Sequence, residues 1–172
     1  MPTYQIKDWL ATIIDKDGTP TDTQGIATEL NLPPLEWDFD DDKRAGAYGT
    51  ISYPLAPGSV EASMTFMGMS PELHDAIISS IGGELTLQLD GAAEDIESGN
   101  SIRYQVVMRG VVAQIPFGSF TAQENAEFEF AMRVNYIKRT FGSSVMIYDP
   151  RNWEFSINGR NLLQSKKDAL GL

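Results

Sequence analysis

The sequence contains no cysteine and a single histidine, His74. Without thiols there is no disulfide, no thiolate zinc site and no cysteine nucleophile. One histidine beside Asp75, with no serine or cysteine motif to serve, builds no recognisable triad and reads as a surface or helix-packing residue. Long hydrophobic runs are also missing. The 42% hydrophobic content is spread over short stretches, none near the ~18 consecutive apolar residues of a membrane helix, so the chain is expected to be soluble with no membrane partner. The opening residues, MPTYQIKDWL, lack the basic region and apolar segment of a secretory signal, so the chain is expected to stay where it is made or to leave by another route. Positive charge is scarce. Thirteen Lys and Arg stand against 24 Asp and Glu, a formal charge of -11, which disfavours tight binding to nucleic acid because phosphate affinity rests on basic side chains displacing counterions.

Other chemistry is absent too. The acidic run Asp38 to Asp42 suggests calcium but lacks the glycine and glutamate that an EF-hand loop requires further on. The glycines of GMS, GG and RAGAYG form neither a dinucleotide fingerprint nor a phosphate loop. Glu127 and Glu129 lie two apart on one strand face and read as solvent-facing residues rather than a catalytic pair. No cofactor, metal or catalytic residue is expected.

What the sequence does have is β patterning. Its 172 residues suit one domain, 1–172. WLATII and IATELNL read as strands around a turn at Asp15-Lys16-Asp17-Gly18, closed by Pro33 and Pro34. EWDFDDDKRAGAYG, at about 36–50, reads as an extended acidic loop or projecting hairpin arm. VEASMTFM alternates, with Ala62, Met64 and Phe66 on one face. SPELHDAIISSIGG predicts a helix: Ser70 caps it, Pro71 sits at its first position, Leu73, Ile77 and Ile81 form a stripe widened by Ala76 and Ile78, and Gly82 and Gly83 end it. ELTLQLDG is a strand with Leu85, Leu87 and Leu89 inward, followed by an acidic loop at AAEDIESGNS. VMIYD and WEFSINGRNLL add strands around an Asn158-Gly159 turn. The ending, at about 158–172, is a basic tail with Arg160, Lys166 and Lys167.

Two strands stand out by length, SIRYQVVMRGVVAQIP (101–116) and AEFEFAMRVNYIKRTFG (126–142). Ile102, Tyr104, Val106 and Met108 alternate with Arg103, Gln105, Val107 and Arg109. Phe128, Phe130, Met132, Val134 and Tyr136 alternate with Glu127, Glu129, Ala131, Arg133 and Asn135. A strand of about 14 residues at ~3.3 Å each spans ~45 Å, well beyond the common strand length of about 5–6 residues.

The order of several motifs resembles that of the major tail tube proteins of contractile-tailed phages, which are also similar to the tubes of R-type pyocins and other contractile injection systems. The motifs are LPPL at 32–35, the arm with RAGAYG, ASMTFMGMSPELHDAI, YQVVMRG at 104–110 and NGR…LGL at 158–172. The resemblance implies a mainly β fold, a sandwich or barrel flanked by one helix, whose long hairpin joins a β-barrel shared across a hexameric ring. It implies rings stacked into the hollow inner tube of a contractile tail in the virion, assembled in the host cytoplasm. The implied partners are other copies of the chain, the sheath protein, and terminator and baseplate proteins. DNA would pass through the lumen to the host without specific binding, and a headless pyocin-like particle is the alternative. Two departures from the family pattern are Asn161, where an acidic residue is often found, and the residues before Trp9. On this reading the channel face carries Arg103, Gln105, Arg109, Glu127, Glu129, Arg133 and Asn135, with Arg109 expected opposite Glu127 or Glu129, so that cross-strand pairs cancel the arginines. Six chains would carry 6 × -11 = -66 per ring. Ring-to-ring contacts are expected between Asp40, Asp41 and Asp42 of the arm and Arg160, Lys166 and Lys167 of a neighbour. The rivals from other classes are a lipocalin-like ligand barrel, which would want an apolar cavity, and a carbohydrate-binding sandwich, for which Trp9, Trp37 and Trp153 form no evident platform.

Overall fold

The computed structural model describes residues 3–32, 34–46 and 48–172. β1 (Tyr4–Ile14) leads through a turn into β2 (Pro20–Asp22) and then β3 (Ala27–Asn31). Asp15 builds that turn. Its carboxylate accepts from the N–H groups of Asp17 and Thr19, each at 2.9 Å, and its carbonyl accepts from Gly18, whose φ of +87° suits glycine. β4 (Trp37–Asp42) and β5 (Ile51–Pro57) form a separate two-stranded hairpin, so the acidic arm is a hairpin that runs beyond residue 50. β6 (Val60–Met67), α1 (Pro71–Ser79), β7 (Glu84–Asp95), β8 (Ser101–Gln114) and β9 (Glu127–Phe141) follow. β10 (Ser144–Asp149), a 3-10 turn at Pro150–Asn152, β11 (Glu154–Ile157), β12 (Arg160–Asn161) and α2 (Gln164–Ala169) complete the chain.

The fold is mainly β. Ten strands form one antiparallel sheet in the order β12-β11-β10-β9-β8-β7-β1-β2, with β6 and β3 branching from β9. β9 is the fork. One of its edges pairs with β8; its other edge pairs with β6 over Glu127–Val134 and with β10 over Ile137–Phe141. The inward faces of both branches meet in one core. β6 contributes Ala62, Met64 and Phe66, β7 contributes Leu85, Leu87 and Leu89, and Ile13, Met108, Phe130 and Met132 lie between them. The sheet therefore folds over on itself about β9, because the period-2 pattern gives each strand one apolar face and only opposed apolar faces remove both from water. Phe66, Phe130, Ile13 and Met64 fill the interior, which is not the hollow core of a lipocalin-type barrel. β1 and β3 approach each other across a cleft lined by Ile6, Trp9, Leu30 and Leu89, but no ladder joins them among the described residues. Within one chain the expected barrel does not close.

β8 and β9 do form the expected long hairpin, with β8 lying between β7 and β9, and β9 between β8 and the β6 and β10 branches. Several other expectations change. β7 runs through Asp95, so the first four residues of the expected acidic loop are strand. Gly91 and Ala93 alternate inward there, and β1 and β8 pair with the segment on both edges. Asp95 ends the strand; a hydrogen bond from the Ser98 hydroxyl holds its carboxyl below the ordinary value. α1 is capped as expected, with Ser70 Oγ accepting from Leu73 N–H at 3.2 Å. The helix stops at Ser79, however, so Leu73, Ala76 and Ile77 are buried while Ile78 and Ile81 are exposed. Ser80 then donates to the Ala76 carbonyl and accepts from Lys16 N–H, tying the helix end to the first turn. α2 is a second, short helix that the tail pattern did not announce.

Candidate functional site

The sheet face opposite the core carries most of the expected channel residues. Across it, Thr86 of β7, Arg109 of β8 and Tyr136 of β9 share one row, Gln88, Val107 and Lys138 the next, and Asp90, Gln105 and Thr140 the third. The rows are polar because each residue is one step out of phase with the buried set, Leu87, Met108 and Ile137.

Asp90 organises the third row. It accepts from Arg103 Nη2 at 2.8 Å, Gln105 Nε2 at 2.9 Å and Gln88 Nε2. Partial burial pushes its carboxyl up, but the hydrogen bonds from Gln88, Arg103 and Gln105 and the Arg103 charge outweigh that and hold it below the ordinary carboxylate value. A depressed carboxylate contributes stability that is present above its unfolded value and is lost as pH falls through the folded one. Asp90→Asn is therefore expected to cost about 0.2–1 kcal/mol at pH 7, the range for a largely exposed pair. Urea titrations at pH 7 and pH 2.5 should show the gap between variant and wild type closing at the acid end.

The arginines are partnered, but not as expected. Arg133 pairs with Glu61 of β6 at 3.0 Å and donates to Ser59 Oγ. Arg109 has no carboxylate partner among the described residues. Its guanidinium lies 3.9 Å from the centre of the Tyr136 ring, a cation–π contact. The register explains why Glu127 and Glu129 do not reach it. They pair with Met67 and Thr65 of β6, beyond the end of β8, beside the loop that joins β8 to β9. Tyr136 was expected on the core face. A bulge at Asn135, where Gly110 opposes Val134 while Arg109 opposes Tyr136, reverses the phase of β9, turning Tyr136 outward and Ile137 inward. Asn135 itself lies beside Val60, Tyr148 and Pro150.

The expected ring-contact residues lie on three separate elements, β4 of the arm, β12 and α2. On the arm, Asp41 accepts from Ser52 Oγ and Asp42 pairs with Arg44 at 2.7 Å. Arg160 lies in β12, and Lys166 and Lys167 lie in α2. Among the described residues no ion pair joins arm and tail within the chain. Sequence reasoning missed an apolar cleft of about 530 Å³ between the arm base and the tail, which brings Trp37 and Trp153 together with Phe155. The Trp37 and Phe155 rings meet at a tilt, 58° between their planes and 5.6 Å between their centres. The only sequence signal for it was an excess of aromatics and prolines in two segments distant along the chain.

The family model described as phage tail tube protein FII matches residues 16–171. The chain belongs to this phage tail tube protein family. It is also 23% identical over 153 residues to the tail tube protein of Escherichia phage P2, an alignment covering 87% of this chain and 89% of that one. As a tail tube protein it has a structural role in the virion, assembling with other copies and with other tail components. The polar sheet face, the acidic arm and the basic tail are thus surfaces of a self-assembling chain.

Proposed function

We propose that the chain, as one tube domain over residues 1–172, forms hexameric rings that stack into the hollow inner tube of a contractile phage tail, the conduit for DNA ejection. The observation that carries the reading is the polar face built on β7, β8 and β9, which backs a filled core and holds charged groups at every row. A water-filled channel is the environment such a face suits. Backbone geometry adds support. β1 pairs with β7 along its length but with β2 only over Thr12–Ile14, so Tyr4–Leu10 has a free edge among the described residues that a neighbour's strand would cover. The phage source of the relative favours a DNA-carrying tail over a headless particle.

Arg103 and Arg133 carry carboxylate partners in the chain, Asp90 and Glu61, Arg109 is held against Tyr136, and Lys138 is the remaining cation of the face. With a net -11 per chain, the channel passes DNA without holding it, and assembled tubes do not retain DNA at physiological salt. The sheath lies outside the tube, and terminator and baseplate proteins meet its ends.

Stacking is directed by charge: Asp40, Asp41 and Asp42 at the arm meet Arg160 and Lys167 of the adjacent ring, fixing register more than affinity. Replacing all three aspartates by lysine is expected to raise the concentration needed for polymerisation roughly tenfold or more. Exposed positions of this kind change folding stability within about 0.5 kcal/mol, so the unfolding midpoint stays near wild type. Sedimentation velocity and thermal unfolding measure the two effects, and normal tubes from the triple variant would remove the arm from the contact.

A further inference from the structure

The loop between β8 and β9 presents two phenylalanines to water. Phe117 is 84% exposed and Phe120 is 76% exposed, with Phe120 held edge-on against Phe128 at 6.1 Å. Two large apolar side chains on the tip of the longest hairpin are an unsatisfied apolar surface. The cleft between arm base and tail is the opposite case, a concave apolar surface lined by Trp37, Leu55, Pro57, Trp153, Phe155 and Leu163.

We propose that the Phe117–Phe120 tip of one copy inserts into the arm–tail cleft of a neighbouring copy. This rests on the tube reading and names one contact within it. Charge complements the fit. The tip is followed by Glu124 and Glu127, while the cleft is lined by Lys166 with Lys167 beside it in the same helix. Lys166 belongs to this contact, leaving Arg160 and Lys167 to the acidic arm.

The tip cannot fill the cleft of its own chain. It is anchored where Ser119 and Glu127 exchange backbone hydrogen bonds at the start of β9, whereas the cleft includes Tyr148, which pairs with Ile137. From Glu127 to Ile137 a strand climbs roughly 33 Å at ~3.3 Å per residue, far beyond the reach of a phenylalanine side chain. The contact therefore needs a second copy, and within the tube reading it is head-to-tail, repeating from copy to copy as a closed ring or a filament requires.

Phe117→Ser alters an exposed side chain and Leu55→Arg places a charge in the cleft. Each is expected to raise the concentration needed for polymerisation roughly tenfold or more, as loss of an aromatic anchor does, with the circular dichroism spectrum and unfolding midpoint kept. The cysteine-free background allows a direct check. Phe117→Cys and Leu55→Cys chains, co-assembled and oxidised, are expected to yield covalent dimers on a denaturing gel, while neither oxidised alone does so. Normal polymerisation of Phe117→Ser, or co-assembled tubes that stay monomeric after oxidation, overturns the proposal. A wild-type chain that forms no tubes overturns the tube reading, and this contact with it.

Discussion

Gly110→Ala is expected to destabilise the chain by about 3 kcal/mol, the upper part of the range for overpacking because the clash is with backbone. A Cβ at this position would strike the Arg133 carbonyl oxygen and lie 2.8 Å from the carbon of that carbonyl and 2.9 Å from Val134 Cα. No side chain there can rotate away, so β8 and β9 would have to part at the bulge. That bulge sets the phase of the second half of β9, including Tyr136 outward and Ile137 inward. For a chain of this size the loss corresponds to a fall in Tm of roughly 6–12 °C. Thermal unfolding measures it, and an unchanged midpoint would contradict the register on which the channel face depends.

Phe130→Ala is expected to cost about 3–5 kcal/mol, the range for truncating a buried phenylalanine when the cavity cannot collapse. Phe130 is fully buried and pairs with Met64 across the β6 and β9 ladder, where the two branches of the sheet share their core. Neither branch can move in to fill the space without breaking its pairing with β9. Phe39→Ala is the contrast. Its side chain is 61% exposed on the arm, and the substitution should change stability by less than about 0.5 kcal/mol. Urea unfolding of both variants separates core from arm, and equal losses would place Phe39 in a core of its own.

Much of this was legible in local pattern. Alternation over residues 60–67 and 101–109 fixed which side chains are buried, and Ser70 with Pro71 fixed where α1 starts, because strand period and capping act between near neighbours. What local pattern does not carry is cross-strand register. Whether Arg109 faces Asn135 or Tyr136 depends on one extra residue at Asn135, and nothing in the alternation of VNYIKR marks it except the apolar residue at Ile137. The extension of β7 was hidden by Gly91, Ala92 and Ala93, residues with weak strand preference that are held there by partners on both edges. α2 was hidden because its six residues carry no side-chain cap and form too short a segment for periodicity. The family was legible because its motifs occur in order along nearly the whole chain, which register errors do not disturb.

The most direct test of the channel reading is a helical reconstruction by electron microscopy of tubes assembled from the purified chain. The account predicts a hollow tube of six-fold rings whose lumen is lined by the face carrying Asp90, Arg103, Gln105 and Arg109. Tubes with that face turned outward or buried between subunits, or a chain that remains monomeric at high concentration, would contradict it.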